Sequence, residues 1–130
     1  MKKHNLAFVD VETTGFDYDK NEIIELGVVI VRQNPVAGAG ASLEILHELE
    51  YKIKPRRIET ANPQALRING YNETEWLFAA DLTQVMKDFA SKAADATFVA
   101  HNMVFDWRFI DQAFKETGVE NPMHYGKLDT

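Results

Sequence analysis

The stretch Leu6–Gly15, LAFVDVETTG, constrains the chain more than any other. An apolar run, Leu6-Ala7-Phe8-Val9, delivers two acids, Asp10 and Glu12, and then breaks at Thr13-Thr14-Gly15. Side chains alternate along a strand, so Asp10 and Glu12 share one face while Val9 and Val11 point the other way, toward a core. Neighbouring carboxylates repel, and removing them from water is costly unless a cation or a proton compensates. A divalent cation with oxygen ligands is the natural compensator. By itself the pattern also fits a solvent-facing strand end with two ordinary acids.

The rest of the chain supplies a platform for that strand. Leu6–Val11 reads as the first strand and Phe16–Asn21 as an Asp-rich loop or tight hairpin. Glu22–Gln33 is a long β-branched run, a second strand. Asn34–Ser42 (NPVAGAGAS) reads as a loop, and Leu43–Lys54 resumes strand character, making an antiparallel hairpin that takes in the first strand. Pro55–Thr60 is a turn. Asn62-Pro63 reads as an N-cap with proline at the first helical position, opening a short helix that stops at Asn69-Gly70. Asn72–Trp76 reads as a further turn of helix. Asp81 caps the next helix, where Leu82, Val85, Met86, Phe89, Ala90 and Ala93 recur at helical spacing. Thr97–Ala100 is a short buried strand. Asn102 caps a helix running to about Thr117 and closed by Gly118, and His124–Thr130 begins another strand. Three antiparallel strands followed by helix–strand–helix–strand predict an α/β fold: a mixed sheet with helices packed on it and the acids near its middle.

With 130 residues, 45% of them apolar, the chain reads as one domain with a real core. It has no cysteine, which excludes disulfides and thiolate metal sites and is compatible with a cytoplasmic setting. No apolar run approaches the roughly 20 residues that span a membrane, and the basic start, Met1–Asn5, does not read as a signal peptide. A formal net charge of −6 argues against nucleic-acid binding by bulk charge, though not against an enzyme whose metal ions meet the phosphate. Lys52, Lys54, Arg56, Arg57 and Arg67 form a local basic cluster, either a phosphate contact or a solvated edge.

A second constellation lies at Ala100–Ile110, AHNMVFDWRFI. Met103, Trp107, Ile110 and Phe114 line one helical face, and Phe105, Phe109 and Ala113 widen it. Asp106 falls among them. An acid inside an apolar stripe is expensive to bury unpaired. It wants a cation, either a metal ion or a nearby Arg108 or Lys. A D-x-E strand and a later acid-bearing helix can converge three carboxylates on one spot. Such a set suits Mg²⁺ or Mn²⁺, and two such ions can clamp the attacking and leaving oxygens of a phosphodiester displacement.

These residues carry a resemblance. Phe8–Gly15, F-V-D-V-E-T-T-G, resembles the first motif of the DEDD (DnaQ-like) 3′–5′ exonucleases, and His101–Phe109, H-N-x-x-F-D-x-x-F, resembles their second. Ile58–Tyr71 resembles the segment between them. The likeness covers nearly the whole chain, in order, and is nearest to the histidine-type subgroup that includes the proofreading subunit of bacterial replicative polymerase. It implies an RNase H-like fold, two divalent ions (Mg²⁺ or Mn²⁺), and release of nucleoside 5′-monophosphates from a single-stranded DNA or RNA 3′ end. A DNA polymerase subunit is the implied partner. By motif position Asp10, Glu12 and Asp106 would be metal ligands and catalytic. Thr13, Thr14 and Gly15 would line the terminal nucleotide, and Asn102 would hold substrate or the geometry of the site. Phe105 and Phe109 read as packing residues.

The family's third motif, H-x-A-x-x-D or Y-x-x-x-D, supplies a general base and a fourth acid on a later helix. The chain ends at Thr130 without it. His124 and Tyr125 with Asp129 have suitable spacing but are rejected, because Gly126 interrupts them, Pro122 precedes them and the alanine is missing. Lys127–Thr130 instead resembles the family's strand after the second-motif helix. His4 and His47 read as surface residues, and His101 as a strand-end residue. Residues 1–130 are therefore expected to be the N-terminal portion of an exonuclease domain, incomplete and of low or no activity. Two other readings compete. One is a non-catalytic module binding nucleic acid or polymerase. The other is a haloacid-dehalogenase-like phosphatase, to whose D-x-D-x-T opening Asp10–Thr14 is a near miss, with Asp10 as nucleophile.

Overall fold

Five strands form one sheet in the order β3-β2-β1-β4-β5 in the computed structural model, which describes residues 3–36 and 40–130. The strands are β1 (Leu6–Thr13), β2 (Ile23–Val36), β3 (Gly40–Lys52), β4 (Thr97–Ala100) and β5 (Lys127–Asp129). The helices are α1 (Pro63–Ile68), α2 (Leu82–Lys92) and α3 (Met103–Thr117), with a 3₁₀ turn at Ile58–Thr60. β1 pairs antiparallel with β2, and β2 with β3, whereas β1–β4 and β4–β5 are parallel. The fold is the mixed α/β sheet expected from the sequence, RNase H-like, with β1 at its centre. The antiparallel β1–β2–β3 meander also removes the phosphatase reading, which requires strand–helix alternation from the start.

Alternation in β1 is strict. Ala7, Val9, Val11 and Thr13 are buried, while Leu6, Phe8 and Glu12 are partly covered and Asp10 is exposed. The buried face meets Val85, Met86 and Phe89 of α2 and Ile110, Ala113 and Phe114 of α3, with Leu26, Val28 and Ile30 of β2 completing the core. Both long helices are held at their ends as their sequences require. The Asp81 carboxylate accepts from Thr83 N–H at 2.9 Å, and Gly118 ends α3 at φ +71°, a conformation glycine adopts without strain. The Asn62 side chain caps α1 by accepting from Gln64 N–H at 2.9 Å.

Four local expectations give way. β2 and β3 extend into the Asn34–Ser42 loop, pairing Asn34 with Ser42 and Val36 with Gly40, so propensity yields to continued ladder pairing; residues 37–39 lie outside the described residues. Asn72–Trp76 forms turns rather than helix, because Trp76 is drawn inward, its indole N–H donating to the Ile24 carbonyl at 3.1 Å. The last strand is confined to Lys127–Asp129, because His124 N–H instead bonds the Ala96 carbonyl ahead of β4. Asn102 stands at the N-cap of α3, but its side chain makes no capping hydrogen bond.

Candidate active site

Asp10 and Glu12 project from the second half of β1 on the face opposite Val9 and Val11, and Asp106 sits in the first turn of α3, 5% exposed. The three come close enough to sense one another's charge. Burial, then the charges of Asp10 and Glu12, push the Asp106 pKa up to about 6, with His101 acting in the opposite direction. Glu12 is raised too, by burial and then by Asp10 and Glu25. Glu25 faces Glu12 directly across the β1–β2 ladder, where like charges are destabilising. Asp10 faces Gly27, whose missing side chain leaves space above the carboxylate. Among the described residues no Lys, Arg or His forms an ion pair with Asp10, Glu12 or Asp106. Arg108, the cation that sequence offered to Asp106, instead lies over the Tyr18 ring at 5.3 Å. The three carboxylates are near enough to repel, though their oxygens do not all lie within 4.8 Å of one another. Uncompensated carboxylates are hard oxygen donors, and the fit to Mg²⁺ or Mn²⁺ rests on that chemistry.

Beside the acids is a hollow of about 190 Å³, lined by Val11, Glu12, Thr13, Gly15, Phe16, Ala65, Ile68, Asn69 and Phe105. Thr13 and Gly15 line this hollow together with Glu12. Thr14 does not reach the hollow. It is fully buried, its hydroxyl accepting from Glu22 N–H at 3.0 Å and its carbonyl from Asn62 N–H at 2.7 Å, so it ties the motif to β2 and α1. Asn69, the C-cap of α1, closes the hollow, its amide donating to the Thr13 carbonyl at 2.8 Å. Phe109 is core, as expected, but Phe105 lines the hollow, with Phe16 at 6.2 Å edge-on and 82% exposed. Asn102 borders a neighbouring hollow with Phe16, Tyr18, Phe105 and Arg108. Sequence reasoning missed Phe16, Ile68, Asn69 and Glu25. The available signal for Phe16 was a large aromatic directly after the T-T-G break, where a packing role has no periodicity to support it.

Most of the basic cluster is committed to the protein itself. Arg57 bonds Glu116 at 3.0 Å, and the Lys20 and Asn21 carbonyls. Arg56 reaches Glu116 and Asp81, and Lys52 pairs with Glu25 at 2.6 Å. The buried Glu22 carboxylate accepts from the backbone N–H groups of both Arg56 and Arg57. Lys54 and Arg67 alone of the five lack an ion pair among the described residues, so the cluster is chiefly structural.

Gly15 is required by a close approach. A Cβ there would lie 2.3–2.8 Å from the Asn21 amide group, which accepts from Asp17 N–H at 3.0 Å and donates to the Thr60 carbonyl at 3.1 Å. Gly15→Ala displaces that amide and is expected to cost roughly 1–3 kcal/mol. A lowered denaturation midpoint at unchanged slope checks it.

Comparison with known proteins agrees with this architecture. The exonuclease family RNase_T matches residues 7–130. Proteins named 3′-5′ exonuclease DinG from Staphylococcus epidermidis and Staphylococcus aureus are 33% and 32% identical over 88% of this chain. The chain spans only 11–12% of their length. Among solved structures, exonuclease I from Methylocaldum szegediense superposes with a TM-score of 0.74 at 13% identity. Escherichia coli exonuclease I in complex with a dT13 oligonucleotide superposes with a TM-score of 0.72, also at 13%. In both cases 98% of this chain is covered and 28% of the other. At that identity the likeness is one of fold.

Proposed function

Because this chain belongs to the exonuclease family, matching it over residues 7–130, we propose that it serves 3′–5′ removal of nucleotides from a nucleic-acid end, hydrolysing the terminal phosphodiester. The observation that carries this reading is that Asp10, Glu12 and Asp106 lie within reach of one another's charge, without an ion-pair partner among the described residues, with a hollow against Glu12. Asp10, Glu12 and Asp106 would hold two divalent ions, Mg²⁺ or Mn²⁺. Such ions supply charge neutralisation at the scissile phosphate and an activated water. The protein's own part is to bind and orient. Phe16, Phe105 and Ile68 offer an apolar wall for the terminal base, since stacking on aromatic rings accepts any base. Thr13 and Gly15 bring backbone against the terminal sugar, and Asn102 presents an unused amide nearby.

Single-stranded DNA or RNA is the proposed substrate, supported by the exonuclease I complex with dT13. A polymerase subunit as partner and a cytoplasmic setting belong to the same proposal. The fourth acid and the general base are not supplied by His124 and Asp129. His124 stacks on His4, ahead of β1, about 20 Å of strand from Asp10. Asp129 faces the start of α3, accepting from Met103 N–H at 3.5 Å. Residues 1–130 alone are therefore expected to cleave slowly or not at all.

The test is a nuclease assay with 3′- and 5′-labelled single-stranded DNA and RNA, Mg²⁺ or Mn²⁺, and Asp10→Ala as control. It compares residues 1–130 with a chain extended past Thr130. Stepwise 3′ shortening by the extended chain, lost in Asp10→Ala, is the expected result. Shortening that survives Asp10→Ala overturns the assignment. Robust digestion by residues 1–130, lost in Asp10→Ala, refutes the argument that they lack a base.

A further inference from the structure

Three parallel strands, β1, β4 and β5, enter the sheet at one edge, opposite the end of β1 that carries the acids. A side chain able to bind metal stands ahead of each: His4 before β1, Asp95 before β4 and His124 before β5. The His4 Nδ1 lies 3.1 Å from the Asp95 carboxylate and 3.0 Å from the Asp95 carbonyl oxygen. The two imidazoles stack with centroids 3.8 Å apart and planes 19° apart. One donor atom from each of the three residues lies within 4.8 Å of the other two. We infer that His4, Asp95 and His124 form a binding site for a divalent transition-metal ion, Zn²⁺ foremost, at the edge of the sheet remote from Asp10. This inference stands apart from the proposed nuclease chemistry.

The donor set selects the ion. Two imidazoles and one carboxylate favour Zn²⁺, Ni²⁺ or Cu²⁺ over the hard, water-loving Mg²⁺, which prefers oxygen. The edge and the acidic centre would therefore hold different metals. The backbone at all three positions is pinned. Asp95 N–H bonds the Pro122 carbonyl at 2.8 Å, His124 N–H the Ala96 carbonyl at 3.0 Å, and the Gln33 amide bonds the His4 carbonyl at 2.9 Å. Asp95 holds φ +61°, a left-handed backbone that is sparsely populated outside glycine. Strain of this kind persists where surrounding structure enforces it, and it clusters at ligand sites. Gly126 gives the His124 ring its place, since a Cβ there would lie 3.1–3.2 Å from the ring's Cδ2 and Nε2.

Tetrahedral zinc draws its donors to about 3.3 Å from one another, through bonds of about 2.0–2.1 Å. The cluster must therefore close slightly. Parallel rings also send their lone pairs side by side, so one imidazole must turn for the two to converge. Asp95 is exposed and both histidines are half-buried, which leaves room for that turn. Three protein ligands leave a further position for water. The bound ion would clip His4 to Asp95, 91 residues later in sequence, and to His124 beyond it, and would stabilise the fold by mass action.

The experiment is a Zn²⁺ titration of the tag-free protein by calorimetry. His4→Gln, His124→Gln and the Asp10→Asn/Glu12→Gln pair are run in parallel, and circular dichroism confirms that each is folded. One Zn²⁺ per chain is expected, with affinity lowered about a hundredfold in each histidine variant and unchanged in the acid pair. No Zn²⁺ binding, or binding that ignores the histidines or disappears with the acid pair, overturns the site. Should a histidine variant fail to fold, electron paramagnetic resonance of Cu²⁺ on the unaltered protein decides. Nitrogen coupling from two imidazoles supports the site, and an oxygen-only spectrum refutes it.

Discussion

Asp106→Asn is expected to make the protein more stable at neutral pH and to abolish its response to Mg²⁺ and Mn²⁺. The sign follows from the raised pKa. In the folded chain Asp106 holds its proton up to about pH 6, whereas an unhindered aspartate releases it near 3.8. Between those values the folded state binds more protons than the unfolded one, so stability falls as pH rises from about 4 to about 6 and is level above. Each pKa unit corresponds to about 1.4 kcal/mol, and solvent at the neighbouring acids screens part of it, leaving on the order of 1–2 kcal/mol. Asparagine carries no charge at any pH, so the variant lacks this slope and keeps that stability at pH 7. It also removes an anionic metal ligand. Thermal melts of both proteins at pH 4.5 and 7.5, with and without Mn²⁺, check the prediction. The difference between them should be much larger at pH 7.5 than at pH 4.5, and Mn²⁺ should raise the melting temperature of the unaltered protein alone. A destabilised variant at pH 7.5 would mean that Asp106 is held by protein partners and is not poised for a cation.

That opposition between stability and function is what made the acids legible in sequence. Two carboxylates side by side on one strand face repel each other, and a third inside an aromatic stripe violates the burial rule. Acids uncompensated in separate places invite the inference that they meet. Strand alternation placed Asp10 and Glu12, and helical spacing placed Asp106, because both periodicities are local. What brings them near one another is topology, with β4 delivering α3 beside β1. The residues that sequence misplaced depend on contacts between distant segments. Arg56 and Arg57 read as either a phosphate contact or a solvated edge until Glu22, just ahead of β2, and Glu116 of α3 are seen to take them. Thr14 and Asn102 were assigned by motif position, yet Thr14 is consumed by bonds to Glu22 and Asn62 while Asn102 keeps its amide. Phe16 and Phe105 were hidden for the same reason, since nothing local distinguishes an aromatic that packs from one that walls a hollow.

Phe89→Ala is expected to cost about 3–5 kcal/mol, the range for truncating a buried phenylalanine. Phe89 is fully buried in α2 and stacks on Phe114 of α3 with ring centroids 6.0 Å apart and planes 29° apart. A domain of this size has only about 5–15 kcal/mol in total, so the variant loses a large fraction of its stability. The consequence extends to the candidate site. Phe114 and Ile110 fix the register of α3 against the sheet, and α3 carries Asp106 in its first turn. Loosening that packing frees the third carboxylate from the other two. Urea unfolding should show a lower midpoint at unchanged slope, and the Mn²⁺ response should fade on warming well before that of the unaltered protein. Asp106 and Phe89 then separate two kinds of contribution. The first variant keeps the platform and loses the ion, whereas the second keeps every ligand and loses the ion only as the platform melts. If Phe89→Ala lost the metal response at low temperature while still fully folded, α3 would be positioned by something other than its contact with α2.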